Sequence, residues 1–419
     1  MTAAASTARS APDPPYAPGA HQQPHWPEPG ELTEVVRTLG SLPALVSPDD
    51  CDELRLRLAA VARGEGFLLQ GGDCAELFAG PLIEPTRDKL RCLADMAAVL
   101  SSGSGLPTLT VGRLAGQYAK PRSTYTETRG DRVLPVYRGD AVNDLRFDAR
   151  GRTPNPQRLL AAYRAANRVL SDIRRLRSRN HTLFTDLGGD FFTSHEALLL
   201  PYERALARAV PVSGREYGLS GHLLWIGERT RQPDGPHVAF AASVCNPVAV
   251  KLGPTATRTD VAELVELLDP HREPGRLAFI TRLGASAVHD LLPPLVDEAL
   301  TLGSPAIWVC DPMHGNTFTT ADGIKTRRFE AIWTEVRGFI AVHQALGTHP
   351  GGLHLELTSR DVTECMDAQV PGREFRLDLR YETACDPRLN GSQALELARL
   401  AAPLLRPRTE LMRDAVTLG

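Results

Sequence analysis

Eight short apolar runs constrain the fold of this sequence more than any other feature. Several of them are separated by segments with helical periodicity, such as residues 260–268, 287–302 and 328–345. Strands that alternate with helices indicate βα units and a parallel sheet. Eight such strands can close into a (β/α)8 barrel, which is the α/β fold that we predict. The predicted strands are residues 66–72, 106–113, 182–187, 222–227, 247–253, 277–282, 306–311 and 352–358.

A doubly wound sheet is the alternative, but the sequence lacks a GxGxxG motif opening a helix, which argues against a dinucleotide-binding fold. Residues 1–30 are rich in Ala, Pro, Gly, Gln and His and are expected to form a flexible arm. Residues 32–62 predict two helices, the second starting near Ser47. Residues 31–419 then form one catalytic barrel domain with N-terminal helices and a C-terminal extension.

Composition excludes several classes of protein. The net charge of the 419 residues is -3, which argues against a nucleic-acid partner. No apolar run reaches the length of a bilayer span and no signal peptide is recognisable, so we expect a cytoplasmic enzyme without a membrane partner. The seven cysteines are scattered without a CxxC pair, so a metal ligand is a better interpretation than a disulfide framework.

Polar residues follow each apolar run, and in a barrel all of these strand ends meet on one face. Many of them are cationic, which suggests a site for phosphate and carboxylate groups. Only four of the 47 basic residues are lysines, and two of these, Lys120 and Lys251, lie at strand ends. Lys89 is interpreted as a solvated helix position. The cationic residues at the strand ends are Arg113, Lys120, Arg122, Arg229, Arg231, Lys251 and Arg282. For any single arginine among them, a solvated ion pair with a neighbouring carboxylate is the alternative interpretation.

A second group of strand-end residues can bind a metal ion. Its members are Cys74, His314, Glu356 and Asp386, with Asp311, His354 and Glu228 of similar type. A thiolate, an imidazole and carboxylates are compatible with Mn, Fe, Co or Zn. Alternatively, Cys74 is an inert buried thiol and His354 is a hydrogen-bonded strand residue. A metal beside anion-binding residues suggests a Lewis acid acting on a carbonyl of a phosphorylated substrate.

Several ordered motifs closely resemble the type II 3-deoxy-D-arabino-heptulosonate 7-phosphate (DAHP) synthases. The resemblance extends from about residue 22 to the C-terminus. The motifs are GGDCAE (71–76), GRLAGQYAKPRS (112–123), SHEAL (194–198), WIGERTRQ (225–232), NPVAVKLGP (246–254), CDPMHGNT (310–317), GTHPGGLHLELT (347–358), VTEC (362–365) and RYETACDPRLN (380–390).

The resemblance implies a barrel that condenses phosphoenolpyruvate with erythrose 4-phosphate, releases phosphate and requires a divalent metal, often Mn or Co. It implies that Lys120, Glu228 and Lys251 are catalytic. The implied sites are Cys74, His314, Glu356 and Asp386 for the metal, Arg113, Glu228, Arg229, Lys251 and Arg282 for phosphoenolpyruvate, and Lys120, Arg122 and Ser123 for erythrose 4-phosphate.

Residues 141–193 look shorter than the corresponding region of feedback-regulated members, which suggests a weakly regulated enzyme of secondary metabolism, such as phenazine synthesis. The alternatives are an aminoDAHP synthase that uses an imino or amino analogue of erythrose 4-phosphate, or a non-catalytic regulatory homologue. The resemblance also implies a homodimer or higher homo-oligomer, without identifying its interface or a chorismate mutase partner. Cys385 adjoins Asp386, and we hypothesise that oxidation joins it to Cys74.

Overall fold

The fold is a closed barrel of eight parallel strands surrounded by helices. A computed structural model describes residues 19–80, 83–187, 189–211, 213–367 and 376–406. The strands, in chain order, are β1 (Phe67–Gly72), β2 (Thr108–Arg113), β3 (Thr126–Arg129), β4 (Arg132–Pro135), β5 (Phe192–Glu196), β6 (Ala207–Ala209), β7 (Glu216–Gly218), β8 (Leu223–Ile226), β9 (Val248–Leu252), β10 (Leu277–Thr281), β11 (Ile307–Cys310), β12 (Thr317–Thr319), β13 (Lys325–Arg327) and β14 (Gly352–Glu356).

Around the barrel the strand order is β1-β2-β5-β8-β9-β10-β11-β14, and β14 closes onto β1. The pairs β3-β4, β6-β7 and β12-β13 are antiparallel hairpins outside the barrel. The helices are α1 (Pro29–Ser41), α2 (Pro48–Ala62), α3 (Thr86–Ser104), α4 (Ala149–Arg152), α5 (Gln157–Arg179), α6 (His181–Asp186), α7 (Leu200–Leu206), α8 (Pro236–Ser243), α9 (Arg258–Leu268), α10 (Val288–Thr301), α11 (Phe329–Leu346) and α12 (Gly391–Ala401).

The predicted (β/α)8 barrel is confirmed, and seven of the eight predicted strands overlap observed barrel strands. The prediction of the third strand is wrong, because residues 182–187 lie almost entirely in helix α6. The Asn180 side chain caps this helix. Leu183 within it and Leu187, which directly follows it, are four positions apart, and both are buried. The true strand is β5, whose polar sequence FTSHE hides it from a search for apolar runs.

Helix α2 packs against the apolar interior of the barrel. As predicted, it begins after Ser47, whose side chain accepts a hydrogen bond from the Asp50 backbone amide at 3.1 Å. Its buried residues Leu54 and Leu58 join a cluster with barrel side chains such as Phe192, Trp225 and Ile280, whereas the outer face of the barrel packs against the surrounding helices in a second, larger cluster.

The predicted N-terminal arm lies partly outside the described residues, which begin at residue 19. Its described part contacts the body of the protein: Trp26 is buried, and the Gln23 amide donates a hydrogen bond to the Leu198 carbonyl oxygen at 2.7 Å. Within the described ranges, no helix has both the length and the apolar character required to span a membrane.

Gly275 allows α2 to approach the barrel. A Cβ at this position would collide with the Arg55 carbonyl oxygen and lie 2.7 Å from the Ala59 nitrogen, and the φ angle is +84°. We expect Gly303→Ala, at φ +63° with open space around it, to cost only the backbone strain of about 1–2 kcal/mol. Gly275→Ala adds an overpacking cost of about 1–3 kcal/mol. Equal losses of unfolding free energy in urea titrations of the two variants would contradict this explanation.

Candidate active site

A cavity of about 180 Å³ lies at the carboxyl ends of the barrel strands. Five residues of its wall lie within barrel strands: Arg113 in β2, Glu196 in β5, Trp225 in β8, Lys251 in β9 and Glu356 in β14. The cavity brings together residues predicted for both the metal and the substrates. The predicted residues in its wall are Arg113, Lys120, Arg122, Ser123, Glu228, Arg229, Lys251, Arg282, His314, Glu356 and Asp386.

Glu356 is the fully buried centre of this site. Its Oε1 atom is 3.1 Å from Arg113 Nη2, 2.9 Å from Lys120 Nζ and 3.2 Å from His314 Nε2. Its Oε2 atom accepts a hydrogen bond from Arg327 Nη2 at 2.8 Å. Burial opposes ionisation of Glu356, but the surrounding positive groups outweigh it and hold its pKa well below the usual range.

Gly72 explains how Arg113 reaches Glu356 across strand β1. The register pairs Gly72 with Arg113 of β2 on one side and with Glu356 of β14 on the other. Because Gly72 has no side chain, the guanidinium and the carboxylate can meet over it. A Cβ at Gly72 would also lie 2.5 Å from the Arg113 carbonyl oxygen.

His314, Glu356 and Asp386 form a cluster that can hold a metal ion. One ligand atom of each residue lies within 4.8 Å of those of the other two. An imidazole and two carboxylates suit a divalent transition metal. Asp386 also pairs with Lys120 and Lys325, so its negative charge is compensated within the protein.

Cys74, the fourth predicted ligand, lies beside this cluster without belonging to it. Its Sγ atom accepts a hydrogen bond from the Asp386 backbone amide at 3.3 Å. Burial raises the pKa of the Cys74 thiol, but a hydrogen bond from Cys385 and the nearby Lys120 ammonium outweigh burial and lower it to about 6. Cys74 therefore has the thiolate character that metal ligation requires, and it contacts Cys385, its hypothesised disulfide partner.

Asp311 joins the candidate metal cluster to a cationic residue of the cavity wall. Its Oδ2 atom is 2.7 Å from His314 Nδ1 and 2.7 Å from Lys251 Nζ. A carboxylate on one imidazole nitrogen orients the ring and leaves the other nitrogen free to bind a metal. Asp311 is therefore a partner of the candidate ligand His314, and not itself a member of the cluster.

Trp225 forms an apolar wall beneath two cations. The Arg113 guanidinium lies 5.2 Å and the Lys251 ammonium 5.9 Å from the centroid of its ring. Burial lowers the pKa of Lys251, and the Arg113 charge lowers it further, although Asp311 opposes both effects. Both cations have carboxylate partners, but Arg122, Arg229 and Arg282 add further positive charge to the cavity wall, and this charge can attract an anionic ligand.

The structure decides the interpretation of three further residues. Arg231 is absent from the cavity wall and instead contacts Glu228 and Asp260, each at 3.1 Å. These contacts agree with the alternative interpretation of Arg231 as a member of an ion pair. His354 is hydrogen-bonded to Gln70 and Arg113, which agrees with a strand residue and not with a ligand. The prediction for Lys89 is wrong, because its side chain is only 12% exposed and pairs with Asp73.

Sequence reasoning missed three further residues. Glu196 lines the cavity, and within the described residues its Oε1 atom is buried without a hydrogen-bond partner. Lys325 and Arg327 come from strand β13 and contact Asp386 and Glu356. The scarcity of lysine was a signal for Lys325. No periodicity in the sequence indicates that a hairpin after β11 returns to the barrel mouth.

Comparison with known proteins supports an assignment to a family. The model of the class-II DAHP synthetase family matches residues 16–188 and 185–402. The chain belongs to the class-II DAHP synthetase family. Within curated proteins, it is 46% identical to a phospho-2-dehydro-3-deoxyheptonate aldolase of Streptomyces coelicolor, over 92% of this chain and 95% of that protein. It is 43% identical to the phospho-2-dehydro-3-deoxyheptonate aldolase AroG of Mycolicibacterium smegmatis, over 92% of this chain and 93% of that protein.

The cluster geometry predicts that Asp386→Asn weakens binding of Mn²⁺. The substitution removes one anionic donor, leaves Lys325 without the carboxylate that it contacts, and leaves Lys120 with Glu356 alone of its two carboxylate partners. We expect at least a roughly tenfold loss of affinity, since even residues behind metal ligands commonly contribute that much. Isothermal titration of the metal-free protein measures it. Asp378→Asn, an exposed control in the same C-terminal segment, should bind Mn²⁺ like the unmodified protein; equal affinities for all three would exclude Asp386 as a ligand.

Proposed function

We propose that the protein condenses phosphoenolpyruvate with erythrose 4-phosphate to give DAHP and inorganic phosphate, the first step of the shikimate pathway. The observation that carries the proposal is one cavity in which the cluster His314, Glu356 and Asp386 adjoins separate cationic residues. Such a cavity suits a carbonyl compound together with an anionic phosphate ester. The family and the names of the two relatives agree with this chemistry.

We place phosphoenolpyruvate on the side of the cavity formed by Arg113, Lys251 and Arg282, with Glu228 and Arg229 nearby. The guanidinium groups suit two-point contacts with carboxylate and phosphate oxygens, and the lysine adds a compact charge. Erythrose 4-phosphate is assigned to Lys120, Arg122 and Ser123 at the cavity wall. The Gln22 side chain accepts a hydrogen bond from the Arg122 backbone amide at 2.9 Å and so supports this loop.

We assign the metal to His314, Glu356 and Asp386, with Cys74 as the fourth ligand. The chemistry that a divalent ion supplies at such a site is polarisation of a carbonyl oxygen. Mn²⁺ and Co²⁺ are our first choices, and Zn²⁺ and Fe²⁺ also suit this mixture of sulfur, nitrogen and oxygen donors.

The reaction then requires two bonds to form and one to break. The methylene carbon of phosphoenolpyruvate attacks the aldehyde carbon of erythrose 4-phosphate, and positive charge develops on the carbon that bears the phosphate ester. Water adds to this carbon and loses a proton, which gives a hemiketal. The hemiketal expels phosphate with the electrons of the carbon–oxygen bond, and its hydroxyl group loses the second proton as it becomes the ketone of the product. We assign to Lys120 the donation of a proton to the developing alkoxide, and to Arg113 and Lys251 the binding of the anionic substrate; all three line the cavity.

Glu196 is our candidate for the base that accepts the proton of the attacking water. Burial raises its pKa, although Lys251, Lys120, Arg113 and Arg229 all oppose the effect. Its buried Oε1 atom has no hydrogen-bond partner among the described residues. Glu228, which the family resemblance implies to be catalytic, is the alternative base. Its carboxylate is already occupied, because it accepts hydrogen bonds from the Gly253 amide at 2.6 Å and from Arg231 at 3.1 Å.

Replacing Glu196 with Gln should lower kcat by about 10² or more, because an amide cannot accept the proton. A base works only when deprotonated, so kcat of the unmodified enzyme should rise with pH through the raised pKa of Glu196. Glu196→Gln should lack this acidic limb. The comparison is Glu228→Gln, measured over the same pH range. If the rise of kcat with pH were lost in Glu228→Gln and retained in Glu196→Gln, Glu228 and not Glu196 would be the base.

The proposed activity is tested by phosphoenolpyruvate consumption after chelator treatment and restoration of Mn²⁺, with erythrose 4-phosphate as the acceptor. We expect turnover that depends on the metal. Phe, Tyr and Trp should have little effect if the enzyme serves a secondary pathway, as we infer from the short region of residues 141–193. Binding of metal and phosphoenolpyruvate without turnover would contradict the proposal and favour an aminoDAHP synthase, to be tested with an amino analogue.

We propose two further features of the protein, an oligomeric state and a redox response. We infer a homo-oligomer from the family, and size measurement in solution tests it. The contact between Cys74 and Cys385 makes oxidative loss of the metal ligand chemically feasible.

A further inference from the structure

Glu335 is a buried carboxylate outside the cavity that bonds to two of the loops forming it. It lies on α11, is 1% exposed, and is absent from the cavity wall. Its Oε1 atom accepts hydrogen bonds from the backbone amides of Leu283 at 2.9 Å and Gly284 at 2.8 Å. Its Oε2 atom accepts one from the Asn316 side chain at 2.6 Å. One carboxylate thus holds the loop after β10 and the loop after β11.

These two loops also touch each other directly. A Cβ on Gly315 would lie 2.5 Å from the Gly284 nitrogen, so only glycine permits this approach. Asn316 Oδ1 accepts a hydrogen bond from the Ala285 amide at 3.0 Å, and its amide nitrogen also donates to the Pro312 carbonyl oxygen at 2.8 Å. Asn316 therefore presents donors to Glu335 and an acceptor to the neighbouring loop.

The loops carry one residue from each half of the candidate site. Arg282, assigned to phosphoenolpyruvate, directly precedes Leu283, and His314, assigned to the metal, lies two residues before Asn316. The Arg282 guanidinium is 3.4 Å from the His314 carbonyl oxygen. A displacement of either loop would therefore change the distance between the anion site and the metal site.

We propose that Glu335 is a positioning residue, which sets the spacing of Arg282 and His314 by clamping their loops from outside the barrel. The kinetic consequences of this role rest on the proposed function. Burial raises the pKa of Glu335 to about 7, while the amide hydrogen bonds of Gly284 and Leu283 oppose the increase. The hydrogen bonds therefore favour the carboxylate form that accepts from both loops.

The hydrogen-bond pattern allows an exchange experiment. In Glu335→Gln, the new amide nitrogen would face the Asn316 amide nitrogen, so two donors would meet. In Asn316→Asp, two carboxylates would meet. In the double variant, the amide introduced at position 335 can donate to the carboxylate introduced at position 316. The bridge between the loops is then restored, although the bond to Pro312 is lost.

We expect Glu335→Gln to raise KM for phosphoenolpyruvate about tenfold and to leave KM for erythrose 4-phosphate within about twofold, because Lys120 and Arg122 lie on another loop. Asn316→Asp should be impaired at least as much. The double variant should recover a substantial part of the loss. Glu330→Gln, an exposed carboxylate on the same helix, is the matched control and should behave like the unmodified enzyme.

A merely structural role would reduce the active fraction, so kcat would fall while both KM values stayed unchanged. That result, or a double variant no better than Glu335→Gln, would overturn the proposal. Hydrogen exchange of peptides covering residues 282–287 tests, without any substrate, whether Glu335 holds the loop after β10. Faster exchange in Glu335→Gln, but not in Glu330→Gln, supports the clamp. Absence of turnover in the unmodified protein would refute the proposed function but would leave this support for the clamp intact. Unchanged exchange would overturn the clamp.

Discussion

The buried carboxylate of Glu356 is the interaction on which the active face depends. A carboxylate without water is unstable unless positive groups and hydrogen bonds replace its hydration, and removing one partner of such a network costs several kcal/mol. Here Arg113, Lys120, Arg327 and His314 surround it. Each partner comes from a different part of the chain, so the charge at Glu356 draws these segments towards one point.

The barrel makes this convergence possible. Parallel strands deliver their carboxyl ends to one face, and the register places Arg113 and Glu356 on either side of Gly72. Below this charged layer, Trp225 and the apolar cluster with α2 exclude water from the barrel interior. The low polarity beneath the site strengthens the electrostatic interactions above it.

Much of the fold was predictable, because apolar strands buried on both faces leave a strong pattern. The exception, β5, has the polar residues Thr193, Ser194 and His195, which are buried through hydrogen bonds and not through apolar contact. The apolar residues of α6 imitated a strand because the segment is short. Eleven residues predicted from strand ends and motifs line the cavity. Glu196 was visible as a polar residue of SHEAL, but only the structure shows that its Oε1 atom is buried without a hydrogen-bond partner among the described residues.

The sequence by itself determined the α/β barrel, the family resemblance and the two chemical types of strand-end residue, since hydrophobic periodicity and motif spacing are local properties of a chain. Only the tertiary structure decided which charges meet. It pairs Arg231 with Glu228 and Asp260, buries Lys89 against Asp73, and brings Lys325 and Arg327 to the carboxylates. It also places Glu335 behind two loops of the site. The reason is physical: an ion pair depends on the distance between two side chains and on the water around them, and folding sets both.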